Sequence, residues 1–177
     1  MSDEARLPDP SPLIPHLPPD SAVIVRHRDA GAAADMARSL AWAARPFGIT
    51  VLLSAATPPA RLDADGIHIP EAALGNWRAR DFRRLRPALV TASAHGARTV
   101  LRARRLGVDA VLLSPVFPTQ SHQHERALGV MRFAAICRNA NLPVIGLGGI
   151  SAGRIRRVLR AGAAGVAGIG LFTSRAC

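Results

Sequence analysis

The chain has 177 residues, of which 49% are hydrophobic and 20% charged, enough apolar matter for one buried core and too much for wholesale disorder. No apolar run reaches the roughly 18 unbroken positions of a membrane span, and a start with Asp3, Glu4 and six prolines in twenty residues lacks the pattern of a secretory signal, so a cytoplasmic location is expected. The formal charge is +11 and all 23 basic residues are Arg, a balance that favours anionic partners.

Residues 1–20 read as a proline-rich arm, because each proline removes a donor and disfavours helix at the residue before it. From residue 21 to 177 the pattern is that of one domain of successive βα units. Strands are expected at 22–26, 49–54, 66–69, 88–93, 110–114, 143–147 and 165–169. Helices are expected at 32–44, 78–85, 97–106, 126–139 and 152–161, with a short last one at 171–177. In the helix at 97–106, Val100, Leu101 and Leu106 supply apolar contacts, while Arg98, Arg102 and Arg105 form a polar stripe. Gly107 and Gly162 sit where a left-handed residue turns the chain back into a strand.

A weak internal repeat joins residues 62–69, 107–113 and 162–167, each a small turn followed by an apolar strand. Repeated units point to a closed parallel sheet rather than an open doubly wound one. The expected fold is α/β, a shortened (β/α)8 TIM-barrel-like domain with seven countable strands. The first strand is missing, replaced by the arm or reduced to something around residues 12–15. An open edge beside residues 22–26 needs cover from the arm or from a second chain, so a homodimer is a possible assembly.

Cys137 and Cys177 lack a CxxC partner, so neither a disulfide framework nor a zinc site is supported, and Cys137 reads as a small core residue. In a barrel of this kind the chemistry lies where each strand ends. After the fifth strand, Pro115 and Pro118 fix a loop presenting Thr119, Ser121 and His122, all able to hydrogen-bond an anion. After the sixth and seventh, Gly148-Gly149 and Gly168-Ile169-Gly170 remove side chains so that backbone N–H groups approach phosphate oxygens, with a following helix start adding positive partial charge. His68 and His95 end or follow strands and either line the site or pack ordinarily. Arg78, Arg80, Arg83, Arg84 and Arg86 form the densest basic run, read as a solvated helix face. Aromatic residues are only 4% and no stacking motif is visible, so nucleic acid and membrane are not expected partners; phosphorylated small molecules are.

Ser114-Pro115-Val116-Phe117-Pro118-Thr119, with Gly148-Gly149-Ile150 and the segment 165–172, resembles the thiamine phosphate synthase family and its TenI-type thiazole tautomerase relatives. The segments 64–69, 92–95 and 25–28 are similar to further motifs of that family, and the likeness spans residues 22–172. It implies a transferase of thiamine biosynthesis that joins a pyrimidine pyrophosphate to a thiazole phosphate and releases pyrophosphate. It places Arg26, Ser93 and His122 as catalytic residues at the pyrophosphate, and Arg28, Thr119, Ser121, Gly148, Gly149, Ile169 and Gly170 as substrate-binding residues. It also implies Mg2+, yet the positions that carry the family's metal-binding acids are here Ser54-Ala55 and Ala72-Ala73, with only Glu71 nearby, so no metal ligand is assigned. The family's pyrimidine-recognising Gln is replaced by Ile24, and the tautomerase's proton-transfer His by Pro115. A catalytically inactive phosphate-binding or regulatory relative and a tautomerase are the alternatives.

Overall fold

A computed structural model describes residues 7–119 and 126–173, with side chains described through residue 171. Seven parallel strands, β1 (Ala22–Val25), β2 (Thr50–Ser54), β3 (Gly66–Ile69), β4 (Leu89–Ala94), β5 (Ala110–Leu113), β6 (Val144–Leu147) and β7 (Gly165–Ala167), pair in chain order. Around them lie α1 (Ala30–Ala44), α2 (Ala79–Leu85), α3 (Ala97–Leu106), α4 (Gly129–Ala140), α5 (Ile155–Arg160) and α6 (Gly170–Thr173). Sequential parallel strands with intervening helices make a curled α/β sheet of the TIM-barrel type. It is not a closed ring: among the described residues no further strand stands between β1 and β7.

Every expected strand is present with its ends shifted by no more than two residues. Period-two alternation sorts their side chains. Val23, Val25, Val51 and Leu53 pack outward on Ala33, Ala37, Leu40 and Ala44 of α1, and Ile67, Ile69, Val90, Ala92, Val111 and Leu113 pack outward under α3, α4 and α5. Ile24, Leu52 and Leu112 point the other way and form a separate inner cluster with Leu89, Ile145, Leu147 and Ala167.

The repeat has a physical content beyond apolar spacing. Asp65, one residue before β3, donates its N–H to the Val51 carbonyl at 3.0 Å and accepts the Val51 N–H on its carboxylate at 2.8 Å. Asp109, one residue before β5, makes the same pair with Val90 at 2.8 and 2.7 Å. Ala164, one residue before β7, keeps the backbone bond to Val144 at 2.8 Å with no carboxylate to add the second. Each second strand is thus clipped to the start of its predecessor, by two bonds at β3 and β5 and by one at β7.

Three expectations are corrected. Residues 11–16 form not a strand but a 3-10 helix, Ser11–His16, whose Ile14 is buried against the α1 layer. Leu101 is 37% exposed rather than a core contact, because Val100 and Ala103 take the inward positions of α3. The helix expected from residue 126 begins at Gly129, since the Leu128 and Gly129 N–H groups are spent on the carbonyls of Pro115 and Val116.

The arm covers part of the seam without filling it. Leu7, Pro10, Leu13 and Leu17 form one wall of a cavity of about 500 Å3, and its other walls come from the inner faces of β1, β4, β5, β6 and β7. It occupies the place where another strand's inward side chains complete a closed barrel.

The clip makes a direct prediction. Asp109→Ala should lower stability by about 1–2 kcal/mol in urea unfolding, the cost of an orphaned backbone donor, whereas Asp109→Asn, which keeps an acceptor oxygen, should cost less; equal losses would contradict the clip.

Candidate functional site

The carboxyl ends of β5 and β6 are joined by direct loop-on-loop packing. Past β5 the chain enters a cis Ser114–Pro115 peptide, then Val116 and Phe117 donate their N–H groups to the carbonyls of Leu147 and Gly148 at 2.9 and 3.1 Å. That contact leaves no room for side chains on the β6 side. A Cβ on Gly148 would lie 2.8 Å from Pro115, and one on Gly149 would lie 2.5 Å from the Pro118 carbonyl oxygen. Both glycines also have positive φ, +91° and +64°, which L side chains rarely adopt.

The carbonyls of the pair are occupied, Gly148 by Phe117 and Gly149 by the Arg154 guanidinium at 2.8 Å. Their amides are different: among the described residues no carbonyl accepts from the Gly148 or Gly149 N–H. Two adjacent donors on half-buried residues, without an acceptor among the described residues, are suited to an oxyanion. Arg154 is held in place by its contact 4.8 Å above the Phe117 ring. The helix-start contribution expected here is not built as anticipated, since a 3-10 turn, Ala152–Arg154, precedes an α5 of only six residues. The glycine amides carry the local donor field themselves.

A second group lies on β3 and β4. His68 is 2% exposed, on the barrel's inner side, with Nδ1 2.8 Å from Thr91 Oγ1 and Nε2 2.9 Å from Ser93 Oγ. Burial pushes its pKa down to about 3, with the positive charge of Arg26 acting in the same direction. The imidazole is therefore neutral near pH 7. Its ring is fully buried on the inner side of the sheet, with both nitrogens engaged, and ties Thr91 to Ser93 across the β3–β4 pair. Thr91 was not singled out from the sequence. The signal was present in the period-two spacing that puts residues 91 and 93 of β4 on the same face as residue 68, whose register partner is Thr91.

Glu71, at the end of β3, is already engaged. It pairs with His95 through Oε2 and accepts from Thr99 at 2.5 Å through Oε1. His95 is exposed and belongs to this cluster, not to the inner one. Magnesium asks for several oxygen ligands, carboxylates above all. With Ser54, Ala55, Ala72 and Ala73 at the other candidate positions, and no group of three His, Cys, Asp or Glu among the described residues, the side chains present do not fit that ion.

The remaining candidates are distributed around the same end of the sheet. Arg26 and Arg28 follow β1 and are exposed. Thr119 is half-buried on the β5 loop; Ser121 and His122 lie outside the described residues. Ile169, with Gly168, lines the upper part of the seam cavity, and Gly170 opens α6. Ile24 sits in the apolar inner cluster, where it offers a substrate no hydrogen bond. Pro115 is buried in the cis peptide and does no acid–base work. Arg78, Arg80, Arg83, Arg84 and Arg86 are all exposed, as expected of a solvated face, with Arg84 tying the Pro59 and Ala60 carbonyls. Cys137 is half-buried against the outer core, and burial raises its thiol pKa. No helix among the described residues is long and apolar enough to cross a membrane.

The depressed His68 pKa has a sign. The folded state disfavours the imidazolium while the unfolded chain titrates near 6.5, so the stabilisation is full above that pH and is lost as pH falls from 6.5 toward about 3. Urea midpoints measured across this window should drop for the unaltered protein and flatten for His68→Gln; parallel curves would show that His68 does not titrate as its burial requires.

A model of the thiamine monophosphate synthase family matches residues 21–172. The chain is 35% identical over 118 residues to a thiamine-phosphate synthase of Bacillus licheniformis, covering 65% of this chain and 51% of that protein. It is 31% identical over 135 residues to one of Desulfitobacterium hafniense, covering 75% and 64%. The matched stretches thus take in between half and two thirds of those relatives' length. Among solved structures, a thiamine phosphate pyrophosphorylase from Pyrococcus furiosus superposes with a TM-score of 0.70 at 19% identity, over 93% of this chain and 81% of that one. A 3-hexulose-6-phosphate synthase superposes at 0.57 and 16% identity, over 84% and 89%. At those identities the superpositions establish the shared barrel fold.

Proposed function

Because the chain belongs to the thiamine monophosphate synthase family, we propose that it acts in thiamine biosynthesis, holding a pyrimidine pyrophosphate and a thiazole phosphate at the carboxyl ends of its strands and joining them. The observation that carries this reading is the pair of glycine amides at the end of β6, unclaimed by any described carbonyl and bared by two positions that admit no side chain. Gly148 and Gly149, with Ile169 and Gly170 beyond β7, cradle the thiazole phosphate. Arg26, Arg28 and Ser93 take the pyrophosphate, with Thr119, Ser121 and His122 adding donors from the β5 loop.

In the reaction the thiazole nitrogen attacks the methylene carbon of the pyrimidine. The new C–N bond forms as the C–O bond breaks, and the electron pair departs on pyrophosphate. The protein's part is to align nitrogen and carbon and to stabilise the charge that grows on the leaving oxygen. No step is assigned to a metal, since Glu71 is committed to His95 and Thr99.

That same commitment, together with Ile24 in place of an amide, favours a second reading: a phosphate-binding relative that keeps the cradle and does not turn over. Both readings take residues 1–20 as an arm on a barrel domain of 21–177, a cytoplasmic location and, with the seam open, a homodimer.

Calorimetry with the thiazole phosphate, followed by an assay with both substrates under titrated Mg2+, separates them. Saturable binding that Gly148→Asp weakens at least about tenfold is expected, since the added carboxylate sets a like charge beside the phosphate and its Cβ, for which there is no room against Pro115, displaces the loop that frames the amides. Thiamine phosphate with stoichiometric pyrophosphate supports the synthase. Binding without product, while a control synthase turns over, supports the second reading. Absence of binding overturns both.

A further inference from the structure

Ser93 enters the proposed site, but neither reading uses Thr91 or the bonds that His68 makes to Thr91 and Ser93. A neutral imidazole carries one N–H, so two arrangements are open. In one, Nδ1–H donates to Thr91 and Ser93 donates its hydroxyl proton to Nε2. That leaves the Thr91 proton with no acceptor among the described residues. Thr91 is 4% exposed and faces the apolar cavity beside Leu52, Leu89, Leu112 and Ile145, where an unpaired hydroxyl proton is costly. In the other, Thr91 donates to Nδ1 at 2.8 Å and Nε2–H donates to Ser93 at 2.9 Å. The Thr91 hydroxyl and the His68 N–H are then both satisfied, and the one proton of the line left over is that of Ser93, which is half-buried at the end of β4.

We propose that Thr91 sets the tautomer of His68, and that His68 is a positioning residue whose Nε2–H fills the Ser93 oxygen so that the Ser93 hydroxyl points outward as a donor to the pyrophosphate group. The buried apolar wall behind Thr91 thereby decides the polarity of a group at the site: with Nε2–H filled in, Ser93 has its proton free for an anion, whereas the reverse arrangement turns that proton inward and presents lone pairs to a negative ligand. Because His68 stays neutral, it adds direction without adding charge. The inference rests on the proposed pyrophosphate site and specifies how one of its donors is aimed.

Two measurements test it. Long-range nitrogen–proton correlation of the unaltered, isotopically labelled protein reports the His68 tautomer directly, and Nε2–H is expected. Calorimetry with inorganic pyrophosphate then follows Ser93→Ala, His68→Leu, the double variant and His68→Gln. Ser93→Ala should weaken binding about tenfold, the loss of one charge-assisted hydrogen bond, and His68→Leu about threefold or more. The double variant should bind no more weakly than Ser93→Ala alone, and His68→Gln, whose amide N–H reaches the place of Nε2, should recover most of the affinity. Nδ1–H at His68, or losses that add in the double variant, would overturn the inference and leave the anion site standing. If the unaltered protein fails to bind pyrophosphate, the site itself and this inference fall together.

Discussion

The contact on which the candidate site depends is the laying of the β5 loop directly across the end of β6. Val116 and Phe117, three and four residues past β5, donate to Leu147 and Gly148 at the end of β6, and this brings Pro115, Phe117 and Pro118 so close to the β6 backbone that only glycine is admitted at 148 and 149. The same packing consumes the glycine carbonyls and leaves their amides unclaimed by any described carbonyl. A donor pair with positive φ, backed by a rigid proline loop, needs no rearrangement to receive an oxyanion, and such preorganisation is where electrostatic catalysts gain most. One geometry therefore sets both the packing of the glycines and the two amides on which the proposed anion site rests.

The open seam between β1 and β7 sets the other limit. A closed barrel fills its interior with inward side chains from all its strands. With seven strands the inner cluster of Ile24, Leu52 and Leu112 stops short, and the arm's Leu7, Leu13 and Leu17 face it across the cavity. The Asp65 and Asp109 clips hold the amino ends of the strands in register on the far side from the site. The clips and the proposed site thus lie at opposite ends of the strands: carboxylates bind the starts, while the candidate glycines, hydroxyls and arginines occupy the ends.

The fold was legible because its signals are local and repeated. Short aliphatic, β-branched runs at 22–26 and 66–69 marked strands, and Gly107 at φ +89° ended α3 where the spacing placed it. The glycines after β6 stood out in the sequence, but not the packing that requires them, because Pro115 lies more than thirty residues away and sequence spacing does not show which loops touch. Residues 11–16 were misjudged because proline is compatible with both extended chain and the tight 3-10 turn, and only burial of Ile14 against α1 selects the turn. Thr91 was missed because a threonine in a strand is unremarkable until its cross-strand partner is seen to be a buried histidine. Glu71 was a candidate substitute ligand; its ties to His95 and Thr99 depend on α3 reaching back over the end of β3, a tertiary fact.

Charge gives the site a consistent character. Among the described residues this end of the sheet carries Arg26 and Arg28, the Ser93 and Thr119 hydroxyls and the Gly148 and Gly149 amides, with the Glu71 carboxylate tied to His95 and Thr99, a balance that favours the phosphate oxygens of the proposed ligands. The most direct measurement is a titration of the 15N-labelled protein with inorganic phosphate, followed through the amide resonances of Gly148 and Gly149. These two should move together, saturably, and among the largest shifts in the spectrum. If phosphate binds and shifts other amides while Gly148 and Gly149 stay fixed, the cradle is elsewhere and the assignment of this site is contradicted.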